Sequence, residues 1–355
     1  MSFIHGIELC RRFHAEVVEP LLTDSFPSLM YSAALLGPGS EVLGYDTEMS
    51  TDHDWGPRVY LFLNEEDIGY SEQIEASLRE RAPAQFYGIP VDVKMSVIST
   101  IPMFIESCLG LHIHEPMEAE DWLTFPSQSL LEITRGAVFR DDTGQLTALR
   151  KQFNYYPHSI WLYLMASNWQ RISQEEHLML RSGYAGDELG SAVIASRIVR
   201  DIMNNCFLLE RQYAPYPKWF GTAFNRLECS DQLMPCLWTA QTAGTWRERE
   251  NALNSAYTHL SSMHNRLGIT EMIPDNVSTF YDRPFKVMHG EGIAKVILKH
   301  ISDNNIRQLA EKRLIGNIDQ ITDNTDFRKL SHLAGAEGKY AKDALKRLFK
   351  PFNRA

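Results

Sequence analysis

The chain has 355 residues, 44% of them hydrophobic, and a formal net charge of −10 at pH 7. That length supports two domains with a sizeable core in each, and the acidic balance excludes a broad surface that tracks nucleic-acid phosphates. No stretch reaches the length of an uncharged apolar membrane span, and the five cysteines show neither CxxC nor framework spacing, so a cytoplasmic protein with free thiols is expected.

In chain order, residues 4–23 carry an amphipathic helical pattern, and residues 29–36, LMYSAALL, read as a hydrophobic strand. The strand runs into a Gly-Ser turn. Gly39 lets the backbone approach a phosphate without a Cβ in the way, successive N–H groups there suit an anion, and Ser40 adds a hydroxyl. After eleven intervening residues comes Asp52-His53-Asp54. Two carboxylates two positions apart share one face of an extended strand, and they match what Mg²⁺ needs: one or two carboxylates, with triphosphate oxygens and waters in the other positions. Gly56-Pro57 interrupts the strand, which implies a bulge or an edge that re-aims Arg58 toward a triphosphate before residues 59–63 resume extended structure.

A charged helix is expected near 65–81. Residues 90–97 then alternate as a strand, with Val91, Val93, Met95 and Val97 on one face and Asp92, Lys94 and Ser96 on the other. Helices at 99–110 and 119–134 and a short strand at 136–140 lead to a turn at 141–144, where the first domain, 1–144, closes. From 145 to 355 apolar residues recur at helical spacing and imply a bundle, broken at Gly183 and Gly186. Residues 213–219, YAPYPKW, form a stiff turn that presents rings and the Lys218 ammonium to a nucleotide or, alternatively, packs as an aromatic corner. The basic tail from Lys342 to Arg354, accompanied by Leu345, Leu348 and Phe349, reads as a solvated helix end.

The strand, Gly-Ser and Asp-x-Asp arrangement resembles the DNA polymerase beta-like nucleotidyltransferase superfamily. DHDWGPR at 52–58, EEHLMLRSGYAGDELGSA at 175–192 and LERQYAPYPKWFGTAF at 209–224 resemble, more closely, a nucleotidyltransferase-like family of unknown function, domain-of-unknown-function family 4037. The resemblance implies an α+β fold: a small mixed-sheet nucleotidyltransferase domain followed by an α-helical bundle, laid out as in the kanamycin-type enzymes. It implies a third carboxylate from a neighbouring strand, which is Asp92, and two Mg²⁺ ions held by Asp52, Asp54 and Asp92. It implies a general base from outside the Asp-x-Asp strand, for which Glu188 ranks first and Asp187 second, with Glu175 and Glu176 as further candidates. Two departures stand out, His53 where an apolar residue is usual and Pro57 within the strand.

The reaction expected is transfer of a nucleoside monophosphate from an NTP to an acceptor hydroxyl or amine, with pyrophosphate released. Gly39, Ser40, Arg58 and Lys218 would bind the nucleotide. A small-molecule acceptor is favoured, and the kanamycin-type likeness suggests a homodimer. The rival readings are a degenerate nucleotide-binding or interaction protein and a HEPN-type ribonuclease, whose loose Arg-to-His spacing Arg171 and His177 satisfy.

Overall fold

The computed structural model describes residues 3–52, 55–312, 314–329 and 335–349. Helix α1 (Gly6–Phe13) passes through a π-helical turn at His14–Val18 into α2 (Glu19–Ser25). Strand β1 (Tyr31–Leu35), a connection with a 3₁₀ turn at Glu48–Asp52, and β2 (Tyr60–Leu63) follow. Next come α3 (Ser71–Arg81), the short strands β3 (Gln85–Phe86) and β4 (Ile89–Pro90), β5 (Val97–Thr100), α4 (Ile101–Leu109), α5 (Ala119–Thr124), α6 (Ser127–Thr134), β6 (Ala137–Asp141) and α7 (Gln145–Gln152).

The chain divides into two compact units, and neither is one continuous piece. The first comprises Met1–Met117, Gln128–Asn154 and Lys329–Asp343; the second comprises Glu118–Ser127, Tyr155–Arg328 and Ala344–Ala355. The expected boundary at 144/145 falls inside the first unit, directly before α7.

The first unit is an α+β structure around a mixed four-stranded sheet of order β5-β2-β1-β6. Strand β1 pairs antiparallel with β2, Tyr31 opposite Leu63, and with β6, Ser32 opposite Asp141; β2 and β5 run parallel, Tyr60 opposite Val97. Tyr31, Ala33, Leu61 and Leu63 face a core completed by Leu9, Phe13, Leu22, Ile74 and Leu78. On β2, the Tyr60 and Phe62 rings meet Phe104 of α4 at 5.7 and 5.2 Å. All of β1 is buried, which is why it reads as a largely apolar run, broken by Ser32, rather than an alternating one.

Two local expectations are corrected. The alternation over 90–97 does not become one strand: β4 ends at Pro90, Asp92 Oδ1 accepts the Lys94 N–H at 3.0 Å, and a 3₁₀ turn fills Val93–Met95 before β5 begins. A short acidic side chain that bonds to backbone two residues on competes with the ladder, and here it wins. Asp52 likewise ends a 3₁₀ turn instead of lying on a strand. Thr51 Oγ1 donates to the Glu48 carbonyl at 2.8 Å and Thr47 N–H donates to Ser50 Oγ at 3.1 Å, so local hydroxyls curl this segment.

The second unit is helical. Its main elements are α8 (His158–Tyr184), α9 (Glu188–Leu209), α10 (Pro217–Phe224), α11 (Ser230–Thr242), α12 (Trp246–Leu267), α13 (Gly290–Leu298), α14 (Asn304–Lys312) and α15 (Ile318–Ile321). The long α8 packs along α9, burying Trp161, Trp169 and Ile172 on one and Ile198, Ile202 and Cys206 on the other. Asp187 caps α9, its Oδ1 accepting the Gly190 N–H at 2.7 Å and its Oδ2 the Ser182 hydroxyl at 3.0 Å. Asp187→Ala should lower stability by about 1 kcal/mol, read as a shift of the urea midpoint at unchanged slope. No helix among the described residues is long and apolar enough to cross a membrane.

Helix α16 (Thr325–Lys329) and helix α17 (Gly335–Phe349) follow, and α17 buries Leu345 and Phe349. Its lysines are not simply solvated. Within the first unit Lys342 Nζ donates to the carbonyl of Gly110, the C-cap of α4, at 3.1 Å, where a cation meets the negative helix end. Within the second, Lys346 pairs with Glu118 at 2.7 Å and Asp121 at 3.1 Å. Lys350 and Arg354 lie outside the described residues.

Candidate functional site

The site is built on the connection between β1 and β2. Leaving β1, the chain turns at Gly37, whose N–H donates to the Glu132 carbonyl of α6 at 2.9 Å, and passes through Pro38 and Gly39 to Ser40, whose carbonyl accepts the Tyr45 N–H at 2.9 Å. Gly39 has φ +143°, and a Cβ there would lie 2.6 and 2.7 Å from the Glu41 carboxylate oxygens and 2.8 Å from Arg58 Nη2. Only glycine fits. The turn therefore lies directly against a buried ion pair, Arg58 Nη2 to Glu41 Oε1 at 2.6 Å, whose side chains are 7% and 2% exposed. Arg58 Nη2 also donates to the Pro38 carbonyl at 2.6 Å.

The rest of the connection is fastened to α1. Buried Asp46 accepts the Gly6 N–H at 2.7 Å and the Trp55 indole N–H at 3.2 Å, and Cys10 Sγ donates to the Gly56 carbonyl at 3.4 Å. Burial pushes the Cys10 thiol up to about 12, so it packs and does not react. Beside the turn, Glu132 accepts from Gln128 Nε2 at 3.0 Å, and burial raises its carboxyl above the usual range.

The described residues include most of those expected from the sequence, Asp54 excepted. Gly39 and Ser40 stand in the turn. Arg58 is corrected from a triphosphate contact to an internal strut, because its charge is spent on Glu41 and Pro38. Asp52 closes the 3₁₀ turn of the same connection, and Asp54, with His53, lies outside the described residues. Asp92 is exposed and caps its own turn. Among the described residues no group of three or more His, Cys, Asp or Glu is gathered for a metal.

The other two candidates belong to the second unit. Glu188, expected as the general base, is an ion-pair partner: its Oε2 accepts from Arg249 Nη1 at 2.6 Å, and the Arg249 side chain is 5% exposed. Glu175 is paired with Arg197. Lys218 is exposed, its Nζ 5.0 Å from the Trp219 ring centroid. Tyr213 forms the aromatic corner, its ring 5.2 Å from Tyr155 and 4.9 Å from Tyr156, and with Ala214 it lines a cavity of about 50 Å³ that Asp319 and Gln320 also border. The HEPN pairing does not form. Arg171 and His177 point about 120° apart on one helix; the first engages Asp201 at 3.3 Å and the second stacks on Phe280 at 4.7 Å.

Residues 122–220 match the Domain of unknown function (DUF4037). The DUF4037 stretch takes in β6 and the helices α7, α8 and α9 and ends within α10. Domain-of-unknown-function family 4037, expected from the sequence, is the family whose domain matches this stretch. Among solved structures, the crystal structure of a nucleotidyltransferase-like protein from Exiguobacterium sibiricum 255-15 is similar at 11% identity, with 85% of this chain and 91% of that chain covered and a TM-score of 0.31. No curated protein matches the chain.

Sequence reasoning missed Glu41, Asp46 and Glu132. Glu132 lies between Leu131 and Ile133 and Glu41 precedes Val42, contexts that mark no partner, while Arg58 and Gly6, which Glu41 and Asp46 engage, lie at a distance in sequence. The Glu41–Arg58 pairing spans seventeen positions and leaves no periodic trace.

Proposed function

We propose that the chain is a Mg²⁺-dependent nucleotidyltransferase acting in the cytoplasm on an NTP and a small hydroxyl- or amine-bearing acceptor. The observation that carries this reading is the Gly39 turn, held in a glycine-only conformation against the buried Arg58–Glu41 pair at the end of β1. A turn fixed in this way offers backbone N–H groups to a phosphate without reorganising, and preorganised donors are what phosphoryl transfer rewards.

Gly39 and Ser40 would then bind the triphosphate. Asp52, Asp54 and Asp92 would hold the metal, a carboxylate set that suits a hard cation whose remaining positions go to phosphate oxygens and water. Mg²⁺, when bound, neutralises charge on the phosphates. The acceptor oxygen or nitrogen attacks the α-phosphorus and gives up its proton to solvent, the bond from the α-phosphorus to the bridging oxygen breaks, and pyrophosphate leaves. Lys218 would approach the nucleotide as a point cation. An acidic chain favours a cationic acceptor, and two chains would act as a homodimer.

The test is the melting temperature of wild type and Asp54→Ala with each of the four NTPs, with and without Mg²⁺. A saturating ligand at a hundred times its dissociation constant adds about 2.7 kcal/mol of stability. A metal-dependent rise that Asp54→Ala loses, together with label transferred from an α-labelled NTP to a cell-extract component, is the expected result. Binding without transfer would assign a nucleotide-binding module instead, and no shift with any NTP would end the proposal.

A further inference from the structure

Strands β7 (Ser278–Thr279) and β8 (Lys286–Val287) form a small antiparallel hairpin in the second unit. The Phe280 N–H extends it by donating to the Phe285 carbonyl at 2.9 Å, and the Arg283 N–H donates to the Phe280 carbonyl at 3.2 Å, so Tyr281 and Asp282 make its tip. The hairpin lies along one face of α8. His177, Arg181 and Tyr184 follow one another there at spacings of four and three, which aligns them. Phe280 stacks on His177 with ring centroids 4.7 Å apart and planes 6° from parallel, and Phe285 meets Tyr184 edge-on at 5.6 Å. Trp246, at the start of α12, joins the second group 6.1 Å from Tyr184, with the Arg247 guanidinium 3.9 Å from its ring centroid. The helical rise from His177 to Tyr184 is about 10 Å, with Arg181 between them.

The fold itself makes little use of this face. Tyr281 is 82% exposed and Tyr184 64%. Tyr281 also holds φ +54°, in the left-handed region that suits glycine, so a bulky ring is carried at the tip at a backbone cost. The side chains of Arg181, Arg283 and Lys286 are exposed, and among the described residues none pairs with a carboxylate. Asp282 is the opposing charge at the tip, while Glu250 is committed to Arg247 at 3.0 Å and to the Lys286 N–H at 2.8 Å. Burial, and after it the Arg181 and Arg283 charges, hold the His177 imidazole below its ordinary value, so at neutral pH the ring is uncharged. In a chain of net charge −10 this is a local cationic surface faced with rings, far narrower than the broad one the overall charge excludes.

We propose that this face binds single-stranded nucleic acid, with unpaired bases stacked on Tyr281 and Tyr184 and the intervening phosphates on Arg181 and Arg283. Charge complementarity calls for a polyanion, and the rings call for one whose units carry flat π-faces. Guanidinium groups suit the phosphates because their planar forks donate two hydrogen bonds at once. A duplex keeps its bases stacked on one another and offers this face phosphate alone. Stacking and phosphate contacts read neither a base edge nor the 2′-hydroxyl, so RNA and DNA strands bind alike.

The experiment follows the fluorescence anisotropy of a labelled, unstructured oligoribonucleotide titrated with the full chain. NTP and Mg²⁺ are left out, so the outcome is separate from that of the transferase proposal. Expected are saturable binding of this strand and of its DNA counterpart, and weaker binding of the duplex. Tyr281→Ala should weaken binding roughly tenfold through the loss of one stacked base, whereas Tyr281→Phe should retain it. Arg181→Ala and Arg283→Ala should each reduce the slope of log K against log salt by about 0.7. All three positions are exposed, so the free variants should melt with wild type. No binding by wild type, equal affinity of Tyr281→Ala and wild type, preference for the duplex, or binding to anionic lipid vesicles in place of the strand would each overturn the proposal.

Discussion

Arg58→Met should destabilise the first unit by about 3–5 kcal/mol, because it takes the cation away from a carboxylate that the fold keeps out of water. The Coulomb attraction at 2.6 Å does not by itself make the pair a large net gain, since both ions were desolvated to form it. The asymmetry is what matters. Removing one member leaves the cost of burying the other without its compensation, and it also removes the donor to the Pro38 carbonyl. The double variant Arg58→Met, Glu41→Leu should recover most of the loss. A urea-denaturation double-mutant cycle measures this. A single-variant loss below about 1 kcal/mol, typical of a solvated surface pair, would show that the turn does not depend on the ion pair.

Glu176 carries the second large effect. Its carboxylate, 3% exposed on α8, accepts the N–H groups of Met288 at 2.7 Å and Gly290 at 3.4 Å at the start of α13. Those donors and the helix end favour the ionised form, yet desolvation outweighs them and pushes the group up to about 7 from its ordinary 4.5. A carboxyl raised in the folded state favours folding most below its unfolded value, and that contribution is lost as pH climbs from 4.5 through about 7. The loss amounts to about 3 kcal/mol over the window, at 1.36 kcal/mol per pH unit. Glu176→Gln should therefore flatten the difference in urea-derived stability between pH 5 and pH 8 relative to wild type. Asp201, pushed up to about 6 chiefly by burial, adds a slope of the same sign that the Gln variant retains. Equal slopes in wild type and variant would mean that Glu176 stays ionised throughout.

The fold class was legible because its carriers are long or strongly apolar. The 29–36 run became β1, the 136–140 segment became β6, and the helical spacing read beyond 145 became the long helices α8, α9 and α12. What failed were segments of four to eight residues where a side chain answers its own backbone. Asp92 caps a turn in the middle of an alternating pattern, and the hydroxyls around Asp52 wind a 3₁₀ turn where extended chain was expected. Periodicity reports burial and cannot weigh an Asx bond against a ladder bond. Charge partners were less legible still. Arg58 with Glu41 and Arg249 with Glu188 are separated by 17 and 61 positions, so a cation that looks available in sequence is already committed in space.

The interleaving of the two units dictates an order of synthesis. The first unit takes residues Lys329–Asp343, and Lys342 closes α4 at Gly110 across 232 positions. A growing chain that has already exposed β1, β2, β5 and β6 must wait for residue 342 before that helix end is satisfied. Truncation after residue 154 would leave the carbonyl of Gly110 without its lysine and the unit without its last helical segment. The first unit thus includes a closure of high sequence separation, and refolding slowed by that closure is the kinetic signature to expect.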